Sequence, residues 1–352
     1  MAVFAPANIG FMRNIYFMKN QLLTGLVVLF LYSCEPTPAG QLYKFQGHAQ
    51  GTYYEVTYYD NVSRNLQPAV DSLLNAFNLS LSTYEPGSII SRINRDEAEV
   101  EVDEWFRTVF LKSMEVAEKT GGSFDFSVGP LVNAWGFGFT DRMKVNQYVI
   151  DSLLKLVGYK NFELQGNQLI KSIYGSKLDF NAIAKGYGVD VVGGFLQSKG
   201  VQVFLVDIGG EVLARGHKPD GSLWKIGVEK PADETNSSRE LKAVIALENR
   251  AIATSGNYRR FYEENGVRYS HTIDPFTGYP VRHSLLSASV LASDCMTADA
   301  YATAFMVKGV EATINFLKSN PELEAYLIYS ADNGEIKTWA SDGFQALIEK
   351  TF

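Results

Sequence analysis

Several strand-like segments of this chain are joined by turns that are too short to hold a crossover helix. Phe204–Asp207 has the composition of a short buried strand, and the Gly209-Gly210 pair then turns the chain into a second strand at Glu211–Arg215. Antiparallel strands can be joined by a two-residue turn, whereas parallel strands need a crossover of a dozen or more residues. Further strands are predicted at Tyr53–Tyr58, Leu223–Val228 and Lys242–Leu247. The pattern favours an α+β fold, with mixed, largely antiparallel sheets and flanking helices, over a doubly wound sheet.

Helical spacing of apolar residues occurs in separate segments between these strands. Leu66–Leu81 places its apolar residues on one face of a helix. Further helices are predicted at Trp105–Lys119 and Thr297–Val307. The first of these two stops at Gly121-Gly122, because glycine commonly follows a helix end.

Several signatures of nucleotide and redox proteins are absent from the sequence. It contains no G-x-G-x-x-G after a strand, no G-x-x-x-x-G-K-[ST], no C-x-x-C-H and no G-x-S-x-G. A Rossmann site, a P-loop, covalent haem and a serine-hydrolase elbow are therefore not expected. The net charge of −7 also argues against a nucleic-acid-binding protein, which needs a basic face.

The amino-terminal segment has the pattern of a targeting sequence. Lys19 supplies a positive charge, Leu22–Tyr32 is almost wholly apolar, and Cys34 follows. This run is shorter than the roughly 20 residues that span a bilayer, and it has the length of a signal-peptide core. The segment resembles a bacterial lipoprotein signal, which implies a signal peptide at 1–33, lipidation of Cys34 and a tether at 34–44. The remainder, 45–352, is long enough for one large domain or two intimately joined lobes. The expected location is the bacterial cell envelope, with the protein lipid-anchored to the membrane and facing the periplasm.

The alternative for this segment is a buried helix with an incidental cysteine. A helix followed at once by the Pro-rich stretch Glu35–Gly40 would have little to pack against. The chain has only two cysteines, so a lipidated Cys34 leaves Cys295 as a free thiol and allows no disulfide. The domain must then be held together by its core, for which a hydrophobic content of 46% is sufficient.

The segment Leu178–Gly188 combines a strand end, a candidate helix start and a lysine. Asn181 is predicted to cap the helix, whose first N–H groups would attract an anion. Lys185 adds a positive charge, and Gly186 allows close approach of a ligand or another chain segment. Taken alone, the segment is more simply a capped helix with a solvated lysine.

A second candidate lies in the alanine-rich helix near the carboxyl end of the chain. Asp299 and Thr303 are four residues apart and therefore share one helical face. Both offer hard oxygen ligands, which suit magnesium or calcium better than zinc. By itself, the pair also fits an acidic residue in a first helical turn and a threonine that bonds to the backbone.

Two further segments carry candidate residues. His271 comes just before the turn Asp274–Gly278, where its side chain could face a cleft. Gly121–Leu131 is rich in glycine and aromatic residues and contains the polar side chains of Ser123 and Asp125. A lone histidine is more often structural than catalytic, and the glycine-rich segment fits core and turns equally well.

Together and in this order, the segments closely resemble the ApbE family, the FAD:protein FMN transferases. The resemblance covers nearly the whole chain from about Phe45. The matching segments are Gly47–Thr52, Leu81–Tyr84, Ser91–Asn94, Gly121–Leu131, Trp135–Gly138, Leu178–Gly188, Val206–Glu211, Gly227–Pro231, Thr254–Arg260, Ser270–Pro280 and Thr297–Ala304. The resemblance implies an ApbE-like, T-fold-related architecture. It also implies an enzyme that moves the FMN half of FAD onto a threonine or serine hydroxyl of a target protein, releases AMP, and in some members hydrolyses FAD.

The resemblance also assigns roles to individual residues. A magnesium ion is held by Asp299, Thr303 and the backbone carbonyl of Ala182. His271 is the candidate base, or positions the target hydroxyl. The FAD substrate is bound by Tyr84, Ser123, Phe124, Asp125, Asp179, Lys185 and Ile273. The expected partner is a flavoprotein subunit of a membrane or exported redox system that carries the acceptor residue.

Three positions depart from the family pattern. Position 302 is alanine where some members carry another acidic ligand, Ala182 offers only its carbonyl, and Gln50 replaces a common methionine. The first two departures imply a weaker or more hydrated metal site. One alternative function is a lipoprotein that stores or delivers flavin, which would need neither the metal ligands nor His271. Another is a flavin-dependent oxidoreductase, which no nicotinamide motif or redox cysteine pair supports.

Overall fold

One large antiparallel sheet organises the fold. In residues 40–138, 143, 145–230, 240–257, 261–264 and 267–352, which the computed structural model describes, this sheet has eight strands. Numbered along the chain and given in spatial order, they are β1 (Gln41–Ala49), β2 (Thr52–Asp60), β5 (Val203–Ile208), β6 (Glu211–Arg215), β9 (Ala251–Gly256), β12 (Leu285–Ala292), β13 (Glu324–Ser330) and β14 (Ile336–Ala340). Because β1 begins at Gln41, the last four residues of the predicted tether lie in a strand.

Tight glycine-containing turns join neighbouring strands of this sheet. Strand β5 pairs with β6 through Gly209 and Gly210, whose φ angles are 65° and 103°. Strand β1 pairs with β2 in the same way, through Gln50 and Gly51 at φ 52° and 73°. The pairing of β5 with β6 confirms the predicted hairpin at the glycine pair. Glycine suits this turn because it adopts left-handed angles at little cost.

Smaller sheets complete the β structure. The large sheet is accompanied by an antiparallel sheet in the order β15-β8-β7 and by two hairpins, β3-β4 and β10-β11. Their bounds are β3 (Phe162–Gln165), β4 (Gln168–Lys171), β7 (Trp224–Glu229), β8 (Leu241–Leu247), β10 (Phe261–Glu264), β11 (Val267–Ser270) and β15 (Ile348–Thr351). The predicted α+β class is therefore confirmed.

Helices of different length connect the strands. They are α1 (Gln67–Leu81), α2 (Ile89–Asn94), α3 (Glu104–Lys119), α4 (Gly129–Ala134), α5 (Gln147–Leu154), α6 (Ala184–Ser198), α7 (Cys295–Lys318) and α8 (Asp342–Gln345). Helix α7 is longer than predicted and contains a break at Gly309, where φ is 74°. No helix in the described part of the chain is long and apolar enough to cross a membrane.

The two faces of the large sheet are both covered. Along β9, Ala253 faces a core shared with α7, whereas the neighbouring Ile252 faces the β7-β8 sheet. The same alternation along β12 sends Val290 to the helical side and Leu291 to the other. Successive side chains of a strand point to opposite faces, so the large sheet is a central layer between helices and a second sheet. Helices α6 and α7 lie on the helical side and carry the residues described next.

Candidate active site

The segment Leu178–Gly188 lies at the centre of the motifs that the sequence singles out. The side-chain amide of Asn94 donates a hydrogen bond to the Leu178 carbonyl at 2.8 Å and accepts one from the Leu178 N–H at 2.7 Å. The Asp179 N–H donates to the carbonyl of Phe126 at 2.7 Å. These contacts join three of the separate sequence segments at the strand end that precedes α6.

The glycines of this segment allow other motifs to approach α6. A β-carbon on Gly186 would lie 2.3 Å from the carbonyl oxygen of Cys295, and one on Gly188 would lie 2.2 Å from the Gln50 amide nitrogen. Gly186 faces backbone and therefore needs glycine, whereas a side chain at position 188 would have to displace the end of the Gln50 side chain. The amino-terminal ends of α6 and α7 are therefore in direct contact, and the β1–β2 turn closes over α6.

A buried charge cluster occupies this contact. The Lys185 ammonium lies 2.7 Å from Glu211 Oε1, and Glu211 is only 3% exposed. Asp299 is 4% exposed, and its Oδ2 accepts a hydrogen bond from the Gly186 N–H at 2.9 Å. The cluster thus brings together residues from α6, β6 and α7 that are far apart in the sequence.

The pKa values of this cluster reflect burial and mutual attraction. Burial raises the pKa of Glu211 to about 7, although the Lys185 ammonium opposes the shift. Burial also raises the pKa of Asp299, again against the effect of Lys185. For Lys185, the attraction of Glu211 and Asp299 outweighs burial and raises the pKa. With both carboxylates ionised, the cluster has one positive charge for two negative charges.

The cluster has the chemistry of a cation site. Within the described residues, Glu211 Oε2 is buried without a hydrogen-bond partner, and Asp299 makes no hydrogen bond besides that from Gly186. Thr303 lies one turn beyond Asp299, and its hydroxyl is 3.0 Å from that of Ser255. A hard cation would supply the missing positive charge and use free carboxylate oxygen. These residues fit the predicted magnesium ion, although no group of three or more His, Cys, Asp or Glu side chains suited to a metal occurs in the described chain.

The predicted helix cap at Asn181 is wrong. Helix α6 starts after Ile183, without a side-chain cap, and the Asn181 N–H instead donates to Asp179 Oδ1 at 2.8 Å. The N–H groups of Ile183 and Ala184 are bonded to the Phe180 carbonyl, and that of Gly186 is bonded to Asp299. Most N–H groups at this helix start are therefore occupied, and the Lys185 side chain is the better candidate for contact with an anion.

Asp179 lies in a polar pocket that is lined by residues from several of the matching sequence segments. Burial raises the pKa of its carboxyl group. The pocket has a volume of about 170 Å³ and contains both charged and amide side chains. Its lining residues are Thr83, Ser91, Asn94, Arg95, Gly129, Asn133, Lys177, Leu178 and Asp179. The adjacent Tyr84 is 59% exposed, which leaves its ring accessible to a ligand.

The predicted flavin-binding residues at 123–125 are buried or hydrogen-bonded within the domain. Asp125 accepts hydrogen bonds from the Ser127 N–H at 2.8 Å and from the Tyr159 N–H at 2.9 Å. Burial raises the pKa of its carboxyl group. Ser123 is buried, and Phe124 belongs to the main core. A flavin contact from Phe124 would therefore come from its backbone.

His271 and Ile273 lie just before a tight turn, Asp274–Gly278. The Gly278 N–H donates to the Asp274 carbonyl at 2.8 Å, and the Trp135 indole donates to the Gly278 carbonyl at 2.8 Å. Ile273 is 5% exposed and packs in a small core with Trp135, so its flavin contact would also come from the backbone. His271 is half-buried, with the Phe137 ring edge-on at a centroid distance of 6.4 Å. Its catalytic role stays a prediction.

Two acidic residues of the site were not predicted from the sequence. Glu211 follows the β5–β6 glycine turn. The only feature of the sequence that pointed to a role for Glu211 was its position in the family-matching segment Val206–Glu211. Asp190 lies on α6, and both of its oxygens accept hydrogen bonds from α7, from the N–H groups of Cys295 and Met296 at 2.8 Å each. Neither contact can be inferred from local spacing, because each partner comes from a distant part of the chain.

The shifted carboxyl groups predict a fall in stability between acidic and neutral pH. Burial raises the pKa of Asp190 to about 7, where Asp294 adds to the shift and Arg215 opposes it, and burial has the same effect on Glu211. The folded state therefore binds more protons than the unfolded state between about pH 4 and pH 7, so the free energy of unfolding decreases as pH rises.

Calorimetry in metal-free buffer should show a melting temperature that falls from pH 5.5 to pH 7.5. Glu211→Gln removes one of the titrating groups and should make this dependence shallower. A melting temperature that rises over the same interval would contradict the assignment of these raised pKa values.

Known proteins resemble this chain in sequence and in structure. The sequence profile of the ApbE family matches residues 50–327. An FAD:protein FMN transferase of Vibrio cholerae is 37% identical over 341 residues, covering 95% of this chain and all of that protein. One of Haemophilus influenzae is 34% identical over 349 residues, covering 94% and 99%. The solved flavin transferase ApbE from Vibrio cholerae superposes with a TM-score of 0.78 at 36% identity, covering 88% of this chain and 99% of that structure.

Proposed function

The chain belongs to the ApbE family and is an FAD:protein FMN transferase, and from this premise we propose that it uses magnesium to transfer FMN onto a protein hydroxyl. The observation that carries the proposal is the buried pair of Glu211 and Asp299 carboxyl groups beside a single ammonium, that of Lys185, with Glu211 Oε2 lacking a hydrogen-bond partner in the described chain. A metal ion would complete this cluster, and a flavin-storage protein would have no use for it.

The proposed reaction exchanges the phosphoanhydride bond between the two halves of FAD for a phosphoester bond to the target protein. The oxygen of a threonine or serine side chain attacks the phosphorus atom of the FMN half of FAD. The bond from that phosphorus atom to the oxygen of the AMP half breaks, AMP leaves, and the hydroxyl proton passes to a base. A magnesium ion would neutralise charge on the pyrophosphate.

Residues of the chain have separate roles in this reaction. Asp299, Thr303 and the Ala182 carbonyl would hold the magnesium ion. The Lys185 side chain, which is 35% exposed, lies at the start of α6, where its ammonium would reach a phosphate oxygen. Asp179 and Tyr84 would contact the nucleotide at the polar pocket, and His271 would accept the proton of the attacking hydroxyl. Water in place of that hydroxyl would convert FAD to FMN and AMP.

The proposal is tested by following FAD and AMP together. The protein is incubated with FAD and magnesium, with and without a threonine-bearing peptide, and the products are separated by chromatography. We expect AMP to form only with magnesium, to disappear with EDTA and to form faster when the peptide is present. FAD that stays intact under all conditions would instead identify a flavin-binding protein.

We further propose that lipid attached to Cys34 anchors the protein to a membrane. Cys34 lies outside the described residues, so this proposal rests on the apolar run before it and on the absence of a second available cysteine. Cys295, the other cysteine, is fully buried.

Cys34→Ala is expected to leave the protein unprocessed or soluble in the periplasm. Fractionation of cells and labelling with a radioactive fatty acid should show the wild type in the membrane fraction and labelled. Cys295→Ala is the matched control and should stay anchored. Normal anchoring and labelling of Cys34→Ala would refute lipidation at this residue.

A further inference from the structure

We infer that Asp190 is a positioning residue that holds Asp299 in place against Lys185 by joining the starts of α6 and α7. The inference rests on the proposed metal-dependent transfer. Asp190 belongs to α6, the helix that carries Lys185, whereas Asp299 belongs to α7. The relative position of these two helices therefore sets the geometry of the charge cluster.

Asp190 caps the start of α7 from another helix. Its Oδ1 accepts from the Cys295 N–H and its Oδ2 from the Met296 N–H, both at 2.8 Å. Cys295 and Met296 are the first two residues of α7. A helix start leaves four backbone N–H groups without partners inside the helix, and one carboxylate from α6 satisfies two of them.

The capping is reciprocal. Asp299 of α7 accepts from the N–H of Gly186, the third residue of α6, at 2.9 Å. Each helix therefore supplies a carboxylate to the start of the other. The absent side chain of Gly186 allows this approach, because a β-carbon there would lie 2.3 Å from the Cys295 carbonyl oxygen. Loss of the Asp190 contact removes one of the two carboxylate links between the starts of α6 and α7.

The local cap of the same helix provides a matched comparison. Asp294 is the N-cap residue of α7, and its Oδ1 accepts from the Thr297 N–H at 2.8 Å. This hydrogen bond stabilises α7 but does not attach it to α6. Replacement of Asp190 or Asp294 by alanine therefore removes a carboxylate from the same helix start, and only the first replacement removes a link between α7 and α6.

The test measures magnesium binding apart from turnover. Titration calorimetry of the wild type, Asp190→Ala and Asp294→Ala with magnesium gives the affinity, and melting temperatures report stability. The magnesium concentration for half-maximal FMN transfer is measured on the same proteins. Groups that hydrogen-bond a metal ligand directly commonly contribute 10- to 100-fold to metal affinity, and Asp190 acts one step further away, through the start of α7. We expect Asp190→Ala to weaken magnesium binding by about the lower end of this range, whereas Asp294→Ala lowers the melting temperature and keeps the magnesium affinity of the wild type.

Asp190→Asn extends the test if the alanine variant does not fold. An asparagine retains one acceptor oxygen, so a smaller loss of magnesium affinity is expected. Wild-type magnesium affinity in both Asp190 variants, or an equal loss in the Asp190 and Asp294 variants, would overturn the positioning role. A wild type that neither binds nor responds to magnesium would also overturn it, and would at the same time remove magnesium from the proposed function. FMN transfer that is absent despite normal magnesium binding would count against the proposed reaction alone.

Discussion

Asp299→Asn is expected to abolish magnesium-dependent FMN transfer while the protein stays folded. The asparagine side chain retains an oxygen that can accept from the Gly186 N–H, so the link between α7 and α6 is kept. It removes the negative charge that would bind the cation. A metal ion commonly supplies several kcal/mol of charge stabilisation in such reactions. We therefore expect the transfer rate to fall by about 10²-fold or more.

The comparison with Asp299→Ala separates the two roles of this carboxylate. Alanine leaves the buried Gly186 N–H unpaired, which commonly costs about 1–3 kcal/mol. Both variants should lose transfer, but only Asp299→Ala should show a clearly lower melting temperature. The transfer rate, the magnesium response and the melting temperature are measured on the same preparations. Magnesium-dependent transfer at the wild-type rate in Asp299→Asn would remove this residue from the metal site.

His271→Ala is expected to bind FAD normally and to fail in modifying a target threonine. The histidine is half-buried and precedes the Asp274–Gly278 turn, which is closed by the backbone hydrogen bond from the Gly278 N–H to the Asp274 carbonyl. General-base assistance typically contributes about 10²- to 10⁴-fold to a rate. We expect a fall in the flavinylation rate within this range, with little change in FAD affinity or melting temperature.

His217→Ala is the matched control for this prediction. His217 is an exposed histidine whose ring nitrogen lies 2.6 Å from Glu248, on the β6–β7 connection. Its loss should leave flavinylation unchanged. Unchanged flavinylation in His271→Ala would exclude His271 from the mechanism. A joint decrease of melting temperature and FAD affinity would show that His271 has a structural role.

Local patterns predicted the elements that depend on local physics. The β5–β6 hairpin was predicted because the Gly209-Gly210 pair allows the turn and strand residues lie on either side of it. The helix at Thr297–Val307 was predicted from its alanine-rich sequence, and the structure has a helical part there that begins at Cys295 and reaches a break at Gly309. Beyond this break, where the backbone is not helical, a second helical part continues to Lys318.

Contacts between distant segments could not be predicted in the same way. The pairing of β6 with β9 and of β9 with β12 follows from packing of the whole domain, and no turn in the sequence encodes it. Asn181 is a common capping residue, yet Asp179 binds its N–H and the helix starts later. Asp190 resembles any polar helical residue until the start of α7 is placed against it. The sequence therefore identified the Asp299 and Lys185 segments, while their shared cluster became visible only in the fold.

The most direct test of FMN transfer is mass spectrometry of a target peptide. The protein is incubated with FAD, magnesium and a peptide that carries one threonine, beside an identical peptide with valine in that position. We predict that the threonine peptide gains the mass of FMN less one water, that fragmentation places the addition on the threonine oxygen, and that the AMP formed equals the modified peptide plus any free FMN. An unmodified threonine peptide, with FAD recovered intact from correctly folded protein, would contradict the account.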